Sequence, residues 1–242
     1  MGPEQPFYAL QPKGLSKSAH ADKSIESIAA TYIQAIKSVQ PSGPFHLGGY
    51  CFGGVIAYEM SRQLLEADEK VQLLAIFEGY PPSFNPHKNK LSNEWLFAFN
   101  FIRNLPFWIR DYMQLSKMNR RYRNHRIVSI FRKRFMRLMG FNIELDKQDI
   151  LDNVSSLAER YQHVVENNIY AMRHYHIKSF DGPMVLFRTP HRVPGRIEKP
   201  DRGWRKFAAE IDIQMIPGGH TTMLKKPNVK ILADKLKGYL KA

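Results

Sequence analysis

The chain has 242 residues, of which 36 are Lys or Arg and 22 are Asp or Glu, so its formal net charge at pH 7 is +14. Hydrophobic residues make up 43% of the chain, which is enough to bury a substantial core and excludes an intrinsically disordered protein. The single cysteine, Cys51, excludes an internal disulfide and a zinc site built from cysteines. No apolar run reaches the ~18 residues that span a bilayer, and the N-terminal sequence lacks the signal-peptide pattern, so we expect a soluble, cytoplasmic protein.

The first third of the chain alternates between predicted strands and helices. The apolar residues 7–10, closed by proline and glycine, predict a short buried strand. Ser24 is a suitable N-cap for a helix whose apolar residues recur with the period of one helical face. That stripe consists of Ile25, Ile28, Ala29, Tyr32, Ile33 and Ile36. The next predicted elements are a strand over Phe45–Tyr50, a helix over about residues 52–65, and a strand over Val71–Phe77 that is apolar enough to be buried on both faces.

The alternation stops at residue 83 and resumes only after residue 179. Between them the sequence contains helical, basic and aromatic segments without a good strand. The later predicted elements are a strand at 184–187, a helix near 204–209, a strand with alternating Ile211, Ile213 and Met215, and a closing helix over about 228–239. This order predicts an α/β fold with a mostly parallel sheet, flanking helices and a helical insertion at about residues 84–178. Insertions of that length are typical of lids or binding elements.

The positive charge is concentrated inside this insertion. Residues 117–137 contain nine cations and no acid, namely Lys117, Arg120, Arg121, Arg123, Arg126, Arg132, Lys133, Arg134 and Arg137. A run of one sign favours an acidic partner, although such runs also occur on solvated helix faces. No nucleic-acid recognition motif accompanies the charge, so we do not expect a nucleic-acid partner.

The segment 48–54 carries the clearest chemical signal. Its pattern Gly49-x-Cys51-x-Gly53, between a predicted strand and a predicted helix, is that of a nucleophile elbow with cysteine in place of serine. We expect small residues two positions before and after Cys51, because a Cβ atom there would collide with the strand or the helix. The helix that follows directs its N-terminal dipole at Cys51, and the Phe52 amide is a natural oxyanion donor. A buried cysteine in a tight glycine turn is the alternative interpretation.

A nucleophile on such a turn requires an acid and a histidine later in the chain, in that order. His220 stands out among the nine histidines because it lies in a glycine turn after a late strand. Glu78 ends the strand Val71–Phe77 and is the preferred acid. Asp201, which follows the strand at 184–187, is the alternative acid. Either carboxylate could accept the Nδ1 proton of His220 and fix its tautomer.

Six segments together are more specific than the elbow alone: PFYALQ (6–11), GGYCFGG (48–54), AYEM (57–60), EGYPP (78–82), PDxGW (200–204) and PGGHTTML (217–224). Through them, nearly the whole chain resembles the thioesterase domains that end nonribosomal peptide synthetases and polyketide synthases. The resemblance implies an α/β-hydrolase fold with a helical lid after the strand that follows the nucleophile. It also implies catalytic roles for Cys51, Glu78 and His220, where the family usually has serine, aspartate and histidine.

The function implied by this resemblance is that of a thioesterase. It would act on acyl or peptidyl chains held as thioesters on the phosphopantetheine arm of a carrier protein, and it would release them by hydrolysis or cyclisation. Carrier proteins are usually acidic, which suits the basic residues 117–137. The resemblance implies no metal, no dissociable cofactor and no membrane partner.

One family feature is missing from the sequence. The family has a further strand and a glycine-containing loop before the segment that corresponds to residues 7–10, and that loop supplies a second oxyanion donor. We therefore expect a single thioesterase domain over residues 1–242 that is N-terminally incomplete relative to the family. A catalytically impaired, hydrolase-like module that binds an acyl carrier or another protein is the alternative hypothesis.

Overall fold

A computed structural model of the chain describes residues 5–13, 22–82, 94–138, 159–190 and 199–241. These residues form α1 (Ile25–Lys37), β1 (Phe45–Tyr50), α2 (Phe52–Glu66), β2 (Val71–Phe77), α3 (Glu94–Met113), α4 (Lys117–Leu138), α5 (Glu159–His174), β3 (Met184–Arg188), a 3₁₀ turn (Trp204–Lys206), β4 (Ile211–Met215) and α6 (Asn228–Leu240). The predicted strands and helices on both sides of the insertion are confirmed, apart from the strand at residues 7–10 and the helix near 204–209.

The four strands form one parallel sheet in the order β1-β2-β3-β4. Tyr50, the last residue of β1, lies opposite Phe77, which in turn lies opposite Phe187 near the end of β3. Because parallel strands end at a common edge, the residues that follow β1, β2 and β3 lie side by side. This edge carries the candidate site.

Helices cover both faces of the sheet. On one face, α1, α2 and the end of α5 pack against Leu74 and Ile76 of β2. On the other face, α6 packs against Leu73 and Ala75 of the same strand. Successive residues of a strand point to opposite faces, so β2 is buried on both sides, as its continuous apolar sequence predicts.

The first helix begins and packs as its sequence predicts. The side chain of Ser24 accepts a hydrogen bond from the backbone N–H of Ser27 at 3.1 Å, which caps the helix. Ile25, Ile28 and Ala29 are buried, and the rest of the apolar stripe packs against the same core. Local sequence and tertiary packing agree here.

Two predicted elements are wrong. Residues 7–10 form no strand, and Phe7 and Tyr8 are 77% and 70% exposed. An apolar run becomes a buried strand only where a neighbour offers a ladder of backbone hydrogen bonds, and the four described strands do not include this segment as a partner. The helix predicted near 204–209 is only a 3₁₀ turn, because the Phe207 carbonyl accepts hydrogen bonds from Tyr58 and Phe180 instead of continuing a helix.

The described part of the insertion is helical, as expected. It contains α3, α4 and α5, and the described residues between β2 and β3 add no strand to the sheet. Residues 83–93 and 139–158 lie outside the described ranges, so the boundaries of the insertion at about 84–178 stay a prediction. Within the described residues, no helix combines the length and the apolar character that crossing a bilayer requires.

Candidate active site

Cys51 occupies a strained turn between β1 and α2. Its backbone angles are φ 56° and ψ −114°, a region that residues with a Cβ rarely adopt. Two hydrogen bonds hold the turn: the Cys51 N–H donates to the Phe77 carbonyl at 2.8 Å, and the Gly54 N–H donates to the Cys51 carbonyl at 3.1 Å. Strain of this kind is maintained where the surrounding structure fixes it, and it is frequent at active sites.

The glycines around Cys51 only partly follow the expected pattern. A Cβ atom on Gly49 would lie 1.9 Å from the Gly53 carbonyl oxygen, so the expected collision is confirmed at this position. The corresponding expectation for Gly53 is wrong, because a Cβ atom there would meet nothing within 4 Å. The tight position is Gly54, whose Cβ would lie 2.9 Å from the side chain of Ile76, because the first turn of α2 packs directly on β2.

The backbone at the start of α2 supplies candidate donors for an oxyanion. Phe52 is the first residue of α2, and Cys51 directly precedes the helix. Amides in the first turn of a helix have no acceptor within the helix, and the helix dipole favours negative charge there. The predicted role of the Phe52 amide is compatible with this position and stays a prediction.

Glu78 and His220 meet at the same edge of the sheet. Glu78 directly follows β2, is fully buried, and adopts φ 56°. Its Oε2 lies 3.5 Å from His220 Nδ1. The His220 ring stacks on the ring of Tyr50 at a centroid distance of 4.8 Å, and the Tyr50 hydroxyl donates to the His220 carbonyl. Because Tyr50 is bonded to Cys51 in sequence, these contacts hold the histidine beside the elbow.

Asp201, the alternative acid, has a different environment. Its Oδ2 accepts a hydrogen bond from the Arg205 N–H at 3.2 Å, and its carbonyl accepts from the Trp204 N–H at 3.0 Å. The Asp201 carboxylate is thus bonded to the backbone of the turn that follows it. Of the two candidate acids, the structure brings Glu78 to His220.

Two groups that were not predicted from the sequence contact Glu78. Glu78 Oε1 lies 2.9 Å from Nη2 of Arg202, whose side chain is also fully buried. The same oxygen accepts a hydrogen bond from the Thr189 N–H. Arg202 adopts φ 51°, and its guanidinium lies 4.9 Å from the centre of the Tyr80 ring. A buried carboxylate needs a charged or hydrogen-bonding partner, and that requirement is the signal that points to a nearby arginine.

These partners decide the charge of Glu78. Burial by itself raises the pKa of the Glu78 carboxyl, but the hydrogen bond with His220, the positive charge of Arg202 and the Thr189 amide outweigh it and lower that pKa to about 2. Glu78 is therefore an anion at neutral pH. An anion beside Nδ1 favours the tautomer of His220 that carries its proton there and leaves Nε2 as the base.

A second buried arginine supports the loop that carries Arg202. Arg188, at the end of β3, donates from Nη1 to the carbonyls of Lys199 and Pro200 at 2.7 and 2.9 Å. These bonds fix the chain immediately before Arg202. Glu78 is thus positioned directly by β2, which it follows, and indirectly by Arg188 at the end of β3, which holds the loop that carries Arg202.

The parallel sheet is covered by helices, a strained turn follows one strand, and an acid and a histidine follow others. This arrangement is that of the α/β-hydrolase class. The sequence model of the thioesterase domain matches residues 2–239, so the chain belongs to the thioesterase domain family. The resemblance inferred from the sequence motifs is confirmed. The hypothesis of a binding module without activity is not favoured by this membership.

The chain is similar to parts of several much larger enzymes. It is 25% identical over 247 residues to chondramide synthase of Chondromyces crocatus. That alignment covers 98% of this chain and 6% of the synthase. It is 37% identical over 94 residues to a dimodular nonribosomal peptide synthase of Bacillus subtilis. That alignment covers 39% of this chain and 4% of the synthase. The chain thus spans about 4–6% of the length of these relatives.

Solved structures show the same fold. A four-domain nonribosomal peptide synthetase aligns over 95% of this chain and 17% of its own, with a TM-score of 0.60 and 22% identity. The RedJ thioesterase of the prodiginine pathway in Streptomyces coelicolor aligns over 94% of this chain and 76% of its own, with a TM-score of 0.56 and 15% identity.

Proposed function

We propose that this thioesterase domain releases an acyl or peptidyl chain from the phosphopantetheine thioester of a carrier protein, through an acyl-Cys51 intermediate. The observation that carries the proposal is the meeting of the Cys51 turn, Glu78 and His220 at one edge of the sheet. The relatives named as nonribosomal peptide and polyketide synthases support the choice of a carrier-bound substrate.

The first step transfers the chain to the protein. The Cys51 sulfur, deprotonated by His220, attacks the thioester carbonyl and forms a new C–S bond. The carbonyl π electrons move to oxygen, and the Phe52 amide at the start of α2 donates to that oxyanion. Collapse of this intermediate breaks the bond to the pantetheine sulfur, and the imidazolium of His220 returns the proton to that leaving thiolate.

The second step releases the chain. His220 deprotonates water, or a hydroxyl or amine of the chain itself, which then attacks the acyl-Cys51 carbonyl. Collapse of this second tetrahedral intermediate breaks the bond between the carbonyl carbon and the Cys51 sulfur, and the imidazolium of His220 returns the proton to the Cys51 thiolate. Water gives a free acid and an internal nucleophile gives a ring. A thioester intermediate is less stabilised by resonance than the ester formed on serine, so the cysteine keeps the chain activated for either nucleophile.

Glu78 supports both steps without contacting the substrate. Because its pKa is lowered to about 2, it stays ionised and stabilises the imidazolium that forms on His220 in each step. Arg202 and the Thr189 amide hold the other oxygen of the carboxylate, so that Oε2 faces His220. In this arrangement Arg202 is a positioning residue for the acid.

The basic helix α4 suits an acidic carrier. The side chains of Lys117, Arg121 and Arg132 are exposed along it. Exposed charges of one sign raise the encounter rate with an oppositely charged protein more than they raise its affinity. We propose the carrier protein as the partner of this helix.

The proposal is tested by trapping the intermediate. The protein is mixed with an acyl thioester of N-acetylcysteamine and, separately, with an acylated carrier protein, and its intact mass is measured over time. We expect a mass increase equal to the acyl group in the wild type and none in Cys51→Ala. His220→Ala should slow the increase strongly. Acylation that persists in Cys51→Ala would contradict the assignment of the nucleophile.

A further inference from the structure

A buried carboxylate of the helical insertion contacts the loop that carries His220. Asp111, near the end of α3, is 5% exposed. Its Oδ1 accepts a hydrogen bond from the hydroxyl of Thr222, and its Oδ2 pairs with the guanidinium of Arg123 on α4. One side chain therefore joins two helices of the insertion, α3 and α4, to the loop of residues 217–227, here called the His220 loop.

The contact reaches the residue next to His220. The hydroxyl of Thr222, which is fully buried, also accepts a hydrogen bond from the Gly219 N–H at 2.8 Å. The Thr222 N–H in turn donates to the Gly219 carbonyl at 3.1 Å. Asp111, Thr222 and Gly219 thus form a continuous chain of hydrogen bonds, and Gly219 is bonded in sequence to His220.

Gly219 itself shows how closely the carboxylate approaches. A Cβ atom on Gly219 would lie 2.6 Å from Asp111 Oδ2 and 2.8 Å from its Cγ. A residue with a Cβ at this position would displace the Asp111 carboxylate or the loop. Because Gly219 has no side chain, the Asp111 carboxylate can lie against the loop next to His220. The sequence pattern alone did not indicate this role.

A second contact fixes the same loop from its other end. The side-chain amide of Asn228, the first residue of α6, donates to the Thr222 carbonyl at 3.0 Å and to Gln114 Oε1 at 2.7 Å. Gln114 directly follows α3. The end of α3 thus contacts the His220 loop directly through Asp111 and, by way of Asn228, through Gln114, and both connections converge on Thr222.

We propose that Asp111 is a positioning residue for His220, through which the helical insertion sets the orientation of the catalytic histidine. The inference rests on the proposed function, because it takes His220 as the base that acts on Cys51. Its consequence is that displacement of α3, for example by a bound carrier protein, reaches the catalytic histidine through the Asp111–Thr222 hydrogen bond.

The first test compares variants that keep or remove this hydrogen bond. Asp111→Asn keeps an oxygen that accepts from Thr222 but loses the charge that pairs with Arg123, whereas Asp111→Leu loses both. Thr222→Val removes the hydroxyl at nearly constant shape. We expect Asp111→Leu and Thr222→Val to lower kcat/KM for a small acyl thioester about 10-fold to 100-fold, through kcat rather than KM, and Asp111→Asn to stay within about threefold.

The double variant shows whether the two residues act through one contact. If they do, Asp111→Leu with Thr222→Val loses about as much activity as the more severe single variant. A fold-loss of activity in the double variant equal to the product of the two single fold-losses would contradict the proposal. Tyr175→Phe is the matched control, because it removes a comparable buried hydrogen bond, from the Tyr175 hydroxyl to Glu59 Oε2 at 2.6 Å, on the opposite face of the sheet. It should lower stability without lowering kcat.

The closing experiment separates this inference from the proposed function. Cys51 is the only cysteine in the chain, so the pH dependence of its alkylation by iodoacetamide reports how strongly His220 assists its deprotonation. His220→Ala should move the midpoint of that dependence toward about 8.5, the pKa of an ordinary thiol, and Asp111→Leu should move it in the same direction by a smaller amount. A midpoint unchanged in His220→Ala would overturn the proposed function.

Two further outcomes decide the inference alone. A midpoint moved by His220→Ala but unchanged in both Asp111→Leu and Thr222→Val would overturn the role of Asp111 and leave the proposed function standing. If Asp111→Leu does not fold, Thr222→Val carries the same test, because it breaks the same contact from the loop side without removing the Arg123 pair.

Discussion

The α/β core and the helical insertion use charged residues differently. In the core, Glu78, Arg188 and Arg202 are at most 4% exposed, and hydrogen bonds or ion pairs hold each of them at the edge of the sheet. In the insertion, Lys117 and Arg121 are exposed along α4. Buried charges of the core can therefore define the geometry of a site, whereas exposed charges of the insertion can act on a partner only across solvent.

Two cations of the insertion are held by hydrogen bonds or ion pairs within the protein, as the charged residues of the core are. Arg120 donates to the carbonyls of Tyr112 and Met113 at 3.2 and 2.9 Å, which satisfies the end of α3, and Arg123 pairs with Asp111. The basic segment thus contains cations that join α3 to α4 and cations that face solvent. Replacing both kinds together, as the sequence alone suggests, would mix damage to the insertion with loss of an interaction surface.

The largest effect is expected at the strained residue of the core. Cys51→Ala should abolish acyl-enzyme formation and lower kcat by a factor of about 10⁴ or more, because no other group of the site can form the intermediate. Cys51→Ser should keep some activity, since serine is usual at this turn. Cys51→Gly should lose activity but gain about 1 kcal/mol of stability, because glycine adopts φ 56° without strain. Mass spectrometry and urea unfolding measure these two effects.

Glu78 should have the next largest effect. Glu78→Gln should lower kcat about 10³-fold, because a neutral amide does not stabilise the imidazolium of His220. It should also cost about 3–5 kcal/mol of stability, since it leaves Arg202 buried without its anion. Asp201→Asn should change kcat less than twofold and affect stability slightly, because an asparagine side-chain oxygen can accept the same hydrogen bond from the Arg205 N–H.

A double variant separates these two effects of Glu78. Glu78→Gln with Arg202→Met removes both buried charges, so urea unfolding should recover most of the lost stability while kcat stays low. Recovery of turnover in this variant would show that the carboxylate acts only through stability. A loss of turnover in Asp201→Asn greater than that in Glu78→Gln would transfer the orienting role to Asp201.

Local patterns made most of the fold and the central site predictable. The strand β2 follows from a run of apolar residues, and the elbow follows from the glycines two positions before and after Cys51. Once a parallel sheet is inferred, residues that end its strands must share one edge, which brings Glu78 into the site. These inferences need only short-range periodicity and one rule of topology.

The features that were missed depend on contacts between distant parts of the chain. Residues 7–10 are as apolar as a buried strand, but no described strand pairs with them. Arg202 lies in a segment whose sequence shows a turn but not that the arginine points at a carboxylate 124 positions earlier in the chain. The approach of Asp111 to Gly219 likewise joins an insertion helix to a loop more than 100 residues away. One sequence carries no local signal for such pairs.

The charge of Glu78 also predicts how stability depends on pH. Its pKa is lowered to about 2 in the folded protein, against an ordinary value of 4.5. The stabilisation is therefore fully present above about pH 4.5 and is lost as the pH falls toward 2, and its size is roughly 3 kcal/mol. Urea unfolding at pH 7, 4 and 3 should show this loss in the wild type. The Glu78→Gln, Arg202→Met variant should lose correspondingly less, and parallel curves would contradict the lowered pKa.

The smallest effect is expected on the exposed face of the insertion. Reversing the charge of Lys117, Arg121 and Arg132 together should lower kcat/KM for a carrier-bound acyl thioester about threefold to tenfold, because surface charges act on encounter and are screened beyond about 8–10 Å at ordinary salt. Added salt should narrow the difference from the wild type. Turnover of a small N-acetylcysteamine thioester should hardly change, because that substrate presents no acidic surface.

The matched control for this surface is Arg120→Gln with Arg123→Gln, which removes the cations that join α3 to α4. Because Arg123 pairs with Asp111 behind the His220 loop, this control should lower turnover of both substrates by similar factors. If the exposed triple variant behaves like the control, its charges hold the insertion together and do not attract a carrier. If it changes neither substrate, the basic face of α4 only keeps the helix solvated, and the carrier docks elsewhere on the domain.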